Sequence, residues 1–271
     1  MARRADFELD GATALVTGAG SGIGRAIAIE LARRGSRVIP VDLCRETAEK
    51  TAVACGEIGP EATPLECDVT DDTAVTALAA RVAADVGPLD VLVNNAGVGM
   101  SGRLTDMTID DWRWIRSVNL DGVLQCCLAF GPAMVDRGRG QVVNVSSGLA
   151  YTMRATEPAY VTTKAAVLAL SRCLRADWGR AGVGVSAVCP GVINTPIIDA
   201  TRFLGGQAAT REETRKWFAR GHPPELVARD VVVAIRHDKP VVPVGWEAKL
   251  GWWASRLLPL RAQGVIARVG R

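Results

Sequence analysis

The 271-residue chain has little histidine and little tyrosine. His222 and His237 are its two histidines, and Tyr151 and Tyr160 are its two tyrosines. Two separate histidines form no cluster with metal-ligand spacing, and neither lies near a serine motif of the kind that a Ser-His-Asp hydrolase needs. We therefore expect neither a bound metal ion nor a hydrolase triad.

Paired cysteine motifs are also missing. The seven cysteines are odd in number and include no C-x-x-C pair. Several of them lie in apolar runs such as LQCCLAF and VSAVCP, where a thiol behaves as a small core residue. This pattern disfavours disulfides and structural zinc.

The chain lacks strong charge and long apolar runs. Its formal net charge is +3, which is too small to indicate nucleic acid as a partner. The start, MARRADFELDGATALVTG, places acidic residues before any apolar run, unlike a signal or transit peptide. No stretch approaches the ~20 apolar residues of a membrane-spanning helix. We expect no membrane span and a cytoplasmic protein.

Short β-rich runs alternate with longer helical patterns along the chain. The β-rich runs lie at 13–17, 37–42, 62–69, 89–95, 140–146 and 183–190, and the helical ones lie near 23–34, 71–86, 109–136 and 158–180. Because the strands are almost continuously apolar, we expect an α/β fold, a doubly wound parallel sheet with helices on both faces, in a single domain. Ligands of such sheets bind beyond the carboxyl ends of the strands.

The first strand leads directly into the glycine-rich stretch TGAGSGIG (17–24). Gly18, Gly22 and Gly24 stand at a sharp strand-to-helix turn, where a side chain would block the close approach of a phosphate group. The following helix offers unpaired N–H groups and a positive dipole end to a pyrophosphate. We interpret the turn as a dinucleotide-binding loop.

Asp42 ends the second strand, downstream of this loop. A carboxylate at this position can accept hydrogen bonds from ribose hydroxyls and repels a 2′-phosphate, which favours NAD over NADP. Ser21 agrees, because an arginine at that place in the loop would seek phosphate. Arg37 and Arg45 keep the NADP alternative open.

Tyr160 and Lys164 lie about one helical turn apart in AYVTTKAAV (159–167). The pKa of an unperturbed tyrosine is about 10, and a fixed ammonium beside it would lower that pKa. The same spacing also suits simple packing of a lysine stem over the ring. From these residues alone, both interpretations stay open.

Five motifs together resemble the short-chain dehydrogenase/reductase family in their order and spacing. They are TGAGSGIG (17–24), NNAG (94–97), VNVSS (143–147), YVTTK (160–164) and CPGVINT (189–195), and the resemblance covers about residues 9–245. It implies a Rossmann fold and an enzyme that interconverts an alcohol and a ketone with a nicotinamide cofactor.

The resemblance also implies four catalytic roles. It makes Tyr160 the general acid/base, Lys164 its activator and Ser147 the hydroxyl that binds the reacting oxygen. Ser146 is the alternative to Ser147, and the spacing of the family selects Ser147. Asn119, in RSVNLDGVLQ, is assigned to a water-linked proton relay that ends at Lys164. In this mechanism Lys164 and the oxidised cofactor ring lower the pKa of Tyr160 so that it accepts the alcohol proton.

The same resemblance implies the cofactor contacts. Asp68 and Val69 would flank the adenine, and Ile193 and Thr195 would hold the nicotinamide carboxamide. Residues expected near the adenosine ribose are Asn94, Ala96 and Gly97. The full predicted cofactor set is Thr17, Gly18, Ser21, Gly22, Ile23, Gly24, Asp42, Asp68, Val69, Asn95, Ala96, Gly97, Tyr160, Lys164, Pro190, Gly191, Ile193 and Thr195.

Residues 196–222 lie where the family carries its substrate lid, and we expect a small helical lid there. Its apolar side chains either line a pocket or form the buried stripe of two ordinary helices. The side chains in question are Phe203, Leu204, Trp217 and Phe218.

The end of the chain is basic and rich in tryptophan, and we separate it as a tail (246–271) from a dehydrogenase domain (1–245). Residues 245–271 contain five basic residues, one acidic residue and three tryptophans. The tail either docks on a membrane surface or packs on a sister subunit or over the pocket. Family members form dimers or tetramers through the two long helices that here contain Asn119 and Tyr160.

These observations together predict an NAD-dependent oxidoreductase that interconverts a secondary alcohol and a ketone. Its expected substrate is hydrophobic and cyclic, steroid-like or terpenoid-like, or else lipid-like, and its expected assembly is a homodimer or homotetramer. One alternative is an NADP-linked ketone reductase. The other is a non-catalytic nucleotide-sensing or interaction protein on the same fold.

Overall fold

A computed structural model describes residues 6–259 and 261–263 of the chain. The strands are β1 (Thr13–Thr17), β2 (Arg37–Asp42), β3 (Leu65–Glu66), β4 (Val91–Asn94), β5 (Gly99–Ser101), β6 (Gly140–Val145), β7 (Val183–Pro190), β8 (Thr201–Phe203) and β9 (Val241–Val244). The helices are α1 (Gly22–Arg33), α2 (Arg45–Gly56), α3 (Asp72–Asp85), α4 (Ile109–Arg116), α5 (Gly122–Asp136), α6 (Leu149–Thr152), α7 (Pro158–Trp178), α8 (Arg211–Phe218), α9 (Pro224–Arg236) and α10 (Trp246–Leu257).

Seven strands form one parallel sheet in the order β3-β2-β1-β4-β6-β7-β9. The strand order reverses between β1 and β4, and the chain leaves both strands at the same edge of the sheet. Such a reversal opens a crevice at the carboxyl ends of the strands. The predicted doubly wound parallel sheet is therefore confirmed.

Apolar side chains from alternate strand positions build a core on each face of the sheet. On β4, Val91 and Val93 join the cluster that contains Ile27 of α1 and Val231 of α9. Leu92, between them, joins the opposite cluster, with residues of α3, α5 and α7. Both faces of the central strands are thus covered, which explains their continuous apolar pattern.

The predicted strand 62–69 is reduced to Leu65–Glu66. Thr63 donates its N–H to the carbonyl of Val38 (3.0 Å), and Cys67 donates to the carbonyl of Asp42 (3.0 Å). Pro64, between them, has no N–H to donate, so the regular ladder is interrupted at the edge of the sheet.

The helical pattern predicted at 109–136 contains a π-helical turn, Ser117–Asp121, between α4 and α5. By length and composition the stretch Ile109–Asp136 could cross a membrane, but 44% of its apolar window is buried. Cys126, Cys127 and Phe130 pack on the sheet. These contacts place one face of α5 in the core.

We expected a helical lid at 196–222, but the structure shows a mixed one. It combines short 3-10 turns at Pro196–Ile198 and Gly205–Thr210 with β8 and α8. β8 pairs in parallel with β5 in a separate two-stranded sheet. A Cβ atom at Gly99 of β5 would lie 2.2 Å from Oγ1 of Thr201, so this pairing depends on glycine.

Candidate active site

A cleft of about 1660 Å³ opens along the carboxyl ends of the strands. This volume exceeds the ~300–1,000 Å³ of a typical small-molecule pocket. The predicted site residues line it, with four exceptions: Thr17, Gly24, Asn94 and Asn119. One continuous cleft therefore brings the glycine loop and the predicted catalytic residues together.

Glycine lets the loop between β1 and α1 pack tightly. Gly18 and Gly22 have positive φ angles of +63° and +51°. A Cβ atom at Gly24 would lie 2.1 Å from the carbonyl oxygen of Gly18, and one at Gly18 would lie 2.8 Å from Cα of Ala96. The backbone thus forms the wall at this end, and α1 begins at Gly22 with its positive dipole end toward the loop.

Hydrogen bonds orient the carboxylate of Asp42 at the edge of this loop. Its Oδ2 accepts the N–H of Gly20 (2.8 Å), and its Oδ1 accepts the N–H of Cys44 and the hydroxyl of Thr47 (both 3.1 Å). Our sequence argument missed Gly20, although it lies inside the glycine motif. A Cβ there would lie 2.3 Å from Oγ1 of Thr47 and 2.7 Å from Oδ2 of Asp42.

Thr17 lies beneath the loop, buried, and joins β1 to the end of β4. Its hydroxyl oxygen accepts the N–H groups of Asn95 (3.0 Å) and Ala96 (3.1 Å). Asn95 in turn donates to the carbonyl of Gly18 (3.1 Å). Asn94, which we expected beside the ribose, lies instead in the core, because its amide donates to Oδ1 of Asn144 (2.8 Å).

Ser147, Tyr160 and Lys164 come together where β6 ends and α7 begins. Lys164 is buried and donates to the carbonyl of Val145 (3.1 Å), with Nζ 5.9 Å from the centre of the Tyr160 ring. The hydroxyl of Ser147 lies close enough to Tyr160 to lower its pKa. The hydroxyl of Ser146 donates to the carbonyl of Lys164 (2.7 Å), so Ser146 fastens α7 to β6.

Burial of its side chain raises the pKa of Tyr160 to about 12, and the neighbouring Ser147 hydroxyl only partly opposes this effect. Our expectation that Lys164, together with an oxidised cofactor ring, lowers this pKa stays a prediction. Burial also lowers the pKa of Lys164 to about 8. The ammonium therefore carries less charge near neutral pH than an exposed lysine would.

Asn119 lies buried in the π-helical turn, where Gly122 donates its N–H to the carbonyl of Ser117 five residues earlier. The side chain of Asn119 accepts the N–H of Val98 (2.8 Å) and donates to the carbonyl of Val98 (2.9 Å). A Cβ atom at Gly97 would lie 3.2 Å from Oδ1 of Asn119 and 3.3 Å from Nζ of Lys164. Asn119 thus fixes the chain between β4 and β5 beside Lys164, and its role in a relay stays a prediction.

Aromatic side chains from separate segments surround the far end of the cleft. Phe203, Trp217 and Phe218 line it, together with Trp114 of α4. Leu204 instead packs with the cluster of Met100 and Ile115. Three of the four apolar lid residues thus line the cleft, and Leu204, which lies in no helix, packs beside it.

Four polar residues of this end were not predicted from the sequence. Arg154 pairs with Glu157 (2.9 Å) and lies over the ring of Trp217, 5.6 Å from its centre. His222 Nε2 lies 3.0 Å from Oε2 of Glu247. The segments that carry Arg154, His222 and Glu247 lie far apart in the chain, so no short motif predicts that they meet.

Comparison with known proteins now adds to this geometry. The family model described as short chain dehydrogenase matches residues 12–202. The chain belongs to this family. A solved structure titled as a short chain dehydrogenase/reductase from Burkholderia phymatum in complex with NAD superposes with a TM-score of 0.86 and 28% identity, over 97% of each chain.

The chain is also similar in sequence to curated proteins over most of its length. The chain is 43% identical to a galactitol 2-dehydrogenase (L-tagatose-forming) of Cereibacter sphaeroides, over 85% of this chain and 91% of the relative. It is 42% identical to the probable oxidoreductase EphD of Mycobacterium tuberculosis, over 90% of this chain. The match spans only 43% of EphD, less than half its length.

The solved structure from Burkholderia phymatum is titled as a complex with NAD, a nicotinamide cofactor. The residues present fit such a cofactor. The cradle that Cβ atoms would fill at Gly18 and Gly24 suits a pyrophosphate, and the oriented carboxylate of Asp42 suits ribose hydroxyls.

Proposed function

We propose that the protein is an NAD-linked dehydrogenase that interconverts a secondary alcohol and a ketone on an apolar substrate. The convergence of Ser147, Tyr160 and Lys164 in the cleft that also holds the glycine loop carries this proposal. A nicotinamide cofactor held there by the glycine loop and Asp42 would supply the hydride acceptor or donor for this interconversion.

The preference for NAD rests on Asp42. Its carboxylate is held by Gly20 and Thr47 at the edge of the cleft, where a 2′-phosphate would meet a negative charge. The two arginines that favour the NADP alternative bind elsewhere, since Arg45 pairs with Glu49 (2.8 Å) and Arg37 donates to the carbonyl of Val86 (3.4 Å).

In this proposal Tyr160 moves the proton. Its hydroxyl takes the proton of the alcohol during oxidation and returns it to the ketone oxygen during reduction. Ser147 holds the same oxygen by a hydrogen bond. Because burial raises the pKa of Tyr160 to about 12, proton acceptance needs added positive charge near its oxygen. The cationic form of Lys164 supplies part of that charge.

The walls of the cleft favour a substrate with a large apolar surface. Trp114, Phe203 and Trp217 offer aromatic faces beside the lid, and aromatic rings contribute much of the apolar area in binding sites. A polyol is the second candidate, because the relative from Cereibacter sphaeroides is named a galactitol 2-dehydrogenase.

Further expectations accompany the proposal. We propose a cytoplasmic protein that assembles as a homodimer or homotetramer, the assembly being what the family resemblance implies. Contact of the tail with a membrane stays a prediction, because part of that tail lies outside the described residues. Of the tail, the structure describes residues 246–259 and 261–263.

A substrate panel tests the proposal. Steroid, terpenoid and small cyclic secondary alcohols are offered beside galactitol and threitol, each with NAD and with NADP, and reduced cofactor is followed by absorbance. We expect turnover with NAD on an apolar cyclic alcohol. Turnover on polyols alone would replace the substrate class, and turnover with NADP alone would overturn the role of Asp42.

A further inference from the structure

Helix α10 packs against α6, the short helix that follows Ser147 at the end of β6. Small residues make the contact close, because a Cβ at Gly251 would lie 2.3 Å from Cγ2 of Thr152. The hydroxyl of Tyr151 donates to the carbonyl of Ala248 (2.9 Å), and its ring meets Trp252 edge-on at 5.2 Å. Since α6 begins two residues after Ser147, α10 is fixed relative to the site.

The contact with α6 places Glu247, in the first turn of α10, at the cleft. Its Oε1 accepts the N–H of Val192 (2.7 Å), and its Oε2 lies 3.0 Å from Nε2 of His222. Its carboxylate occupies the space over Gly191, where a Cβ would lie 2.4 Å from Oε1. Burial opposes the charge of Glu247, but its own N–H, that of Val192 and the His222 ring outweigh burial and lower its pKa.

The backbone at residue 222 completes the arrangement. His222 donates its N–H to the carbonyl of Val192 (2.8 Å), and Asn194 donates to the carbonyl of His222 (2.8 Å). The end of the lid therefore runs beside the loop that carries Ile193 and Thr195, the residues predicted to hold the nicotinamide. One carboxylate joins this loop, the lid end and α10.

We propose that Glu247 is a positioning residue that holds the 191–195 loop and the lid end in register for the nicotinamide half of the cofactor. This inference rests on the proposed function, since it assumes that the loop receives a nicotinamide. Glu247 acts through Val192 and His222, and α10 thereby becomes part of the active site. The resemblance of the chain to its family assigned no role to this residue.

The test compares two probes, NAD and ADP-ribose, which lacks the nicotinamide. Glu247→Ala should weaken NAD binding about tenfold or more, because a hydrogen bond to a charged group is lost. It should leave ADP-ribose binding within about twofold, because the adenosine end does not touch α10. Binding is measured by calorimetry on the full chain, so no substrate needs to be known.

Two further variants separate positioning from general damage. Glu247→Gln keeps an acceptor for Val192 and a polar partner for His222, so it should restore most NAD binding. Glu225→Ala, which removes an exposed glutamate from the first turn of α9, should change neither probe. With the best alcohol of the panel, Glu247→Ala should raise KM for NAD by a larger factor than it lowers kcat.

Equal weakening of both probes, or no weakening of either, would overturn the role of Glu247. Failure of Glu247→Gln to recover NAD binding would do so as well. A wild-type protein that binds neither NAD nor ADP-ribose would instead refute the proposed function, so the two failures are distinguishable.

Discussion

The two ends of the cleft are built in different ways. At the adenosine end, backbone atoms form the wall, and glycines at 18 and 24 leave no space for a side chain. At the lid end, side chains form the wall, and Trp217 and His222 of the lid meet Glu247 of α10, which lies far away in the chain. A backbone wall requires glycine and so leaves a short motif, whereas a wall of distant side chains does not.

Tyr160→Phe should impair the proton transfer at the catalytic residues and leave NAD binding at the adenosine end almost unchanged. Removing the hydroxyl should lower kcat by about 1,000-fold, because general acid–base catalysis contributes that order of magnitude. Binding of NAD should stay within about threefold, since the glycine loop and Asp42 are unchanged. Steady-state turnover and calorimetry measure the two effects. A variant with wild-type turnover would remove Tyr160 from the mechanism.

Gly24→Ala tests whether the adenosine end depends on close backbone packing. The added Cβ would lie 2.1 Å from the carbonyl oxygen of Gly18, so the free energy of unfolding should fall by about 3 kcal/mol. Gly56→Ala is the matched control, because no atom lies within 4 Å of a Cβ there, and it should change stability by less than about 1 kcal/mol. Urea denaturation measures both, and equal effects would contradict the packing argument.

The fold and the adenosine end could be predicted from the sequence because their signals are local. Continuous apolar strands and the TGAGSGIG motif each depend on neighbouring residues. The pairing of β5 with β8 and the contact between His222 and Glu247 depend on residues far apart in the chain. The pKa of Tyr160 in the folded chain could not be predicted for a related reason, because the burial that raises it depends on the whole fold.

Lys164→Met tests the electrostatics of the catalytic end. The pKa of Lys164 is lowered from 10.5 to about 8 in the folded chain. Between about pH 8 and 10.5, Lys164 keeps its proton in the unfolded chain but has released it in the folded chain. This lysine therefore makes the free energy of unfolding rise with pH. From about pH 7.5 to 9.5, the unfolding free energy of wild type minus that of the variant should rise by about 2 kcal/mol. Urea titrations at both pH values measure it, and a constant difference would contradict the shift.

Asp42→Ala should have the smallest effect and acts only at the adenosine end. Losing the carboxylate should reduce the preference for NAD over NADP by about tenfold, or ~1.4 kcal/mol. Glu46→Ala removes a nearby exposed charge, paired with Lys50 at 2.7 Å, and should leave the preference unchanged. The ratio of kcat/KM for the two cofactors measures this. An equal change of cofactor preference in both variants would show that the loss of any nearby negative charge, and not of Asp42 itself, causes the effect.

The most direct test of the central claim follows a deuterium atom from the alcohol to the cofactor. Wild-type protein is incubated with NAD and with secondary alcohols that carry deuterium on the carbinol carbon, and the cofactor is analysed by mass spectrometry. The proposed function predicts reduced cofactor that carries the deuterium, and none with Tyr160→Phe over the same time. Bound NAD that stays unreduced with every alcohol, and reduced cofactor that stays unoxidised with every matching ketone, would contradict it.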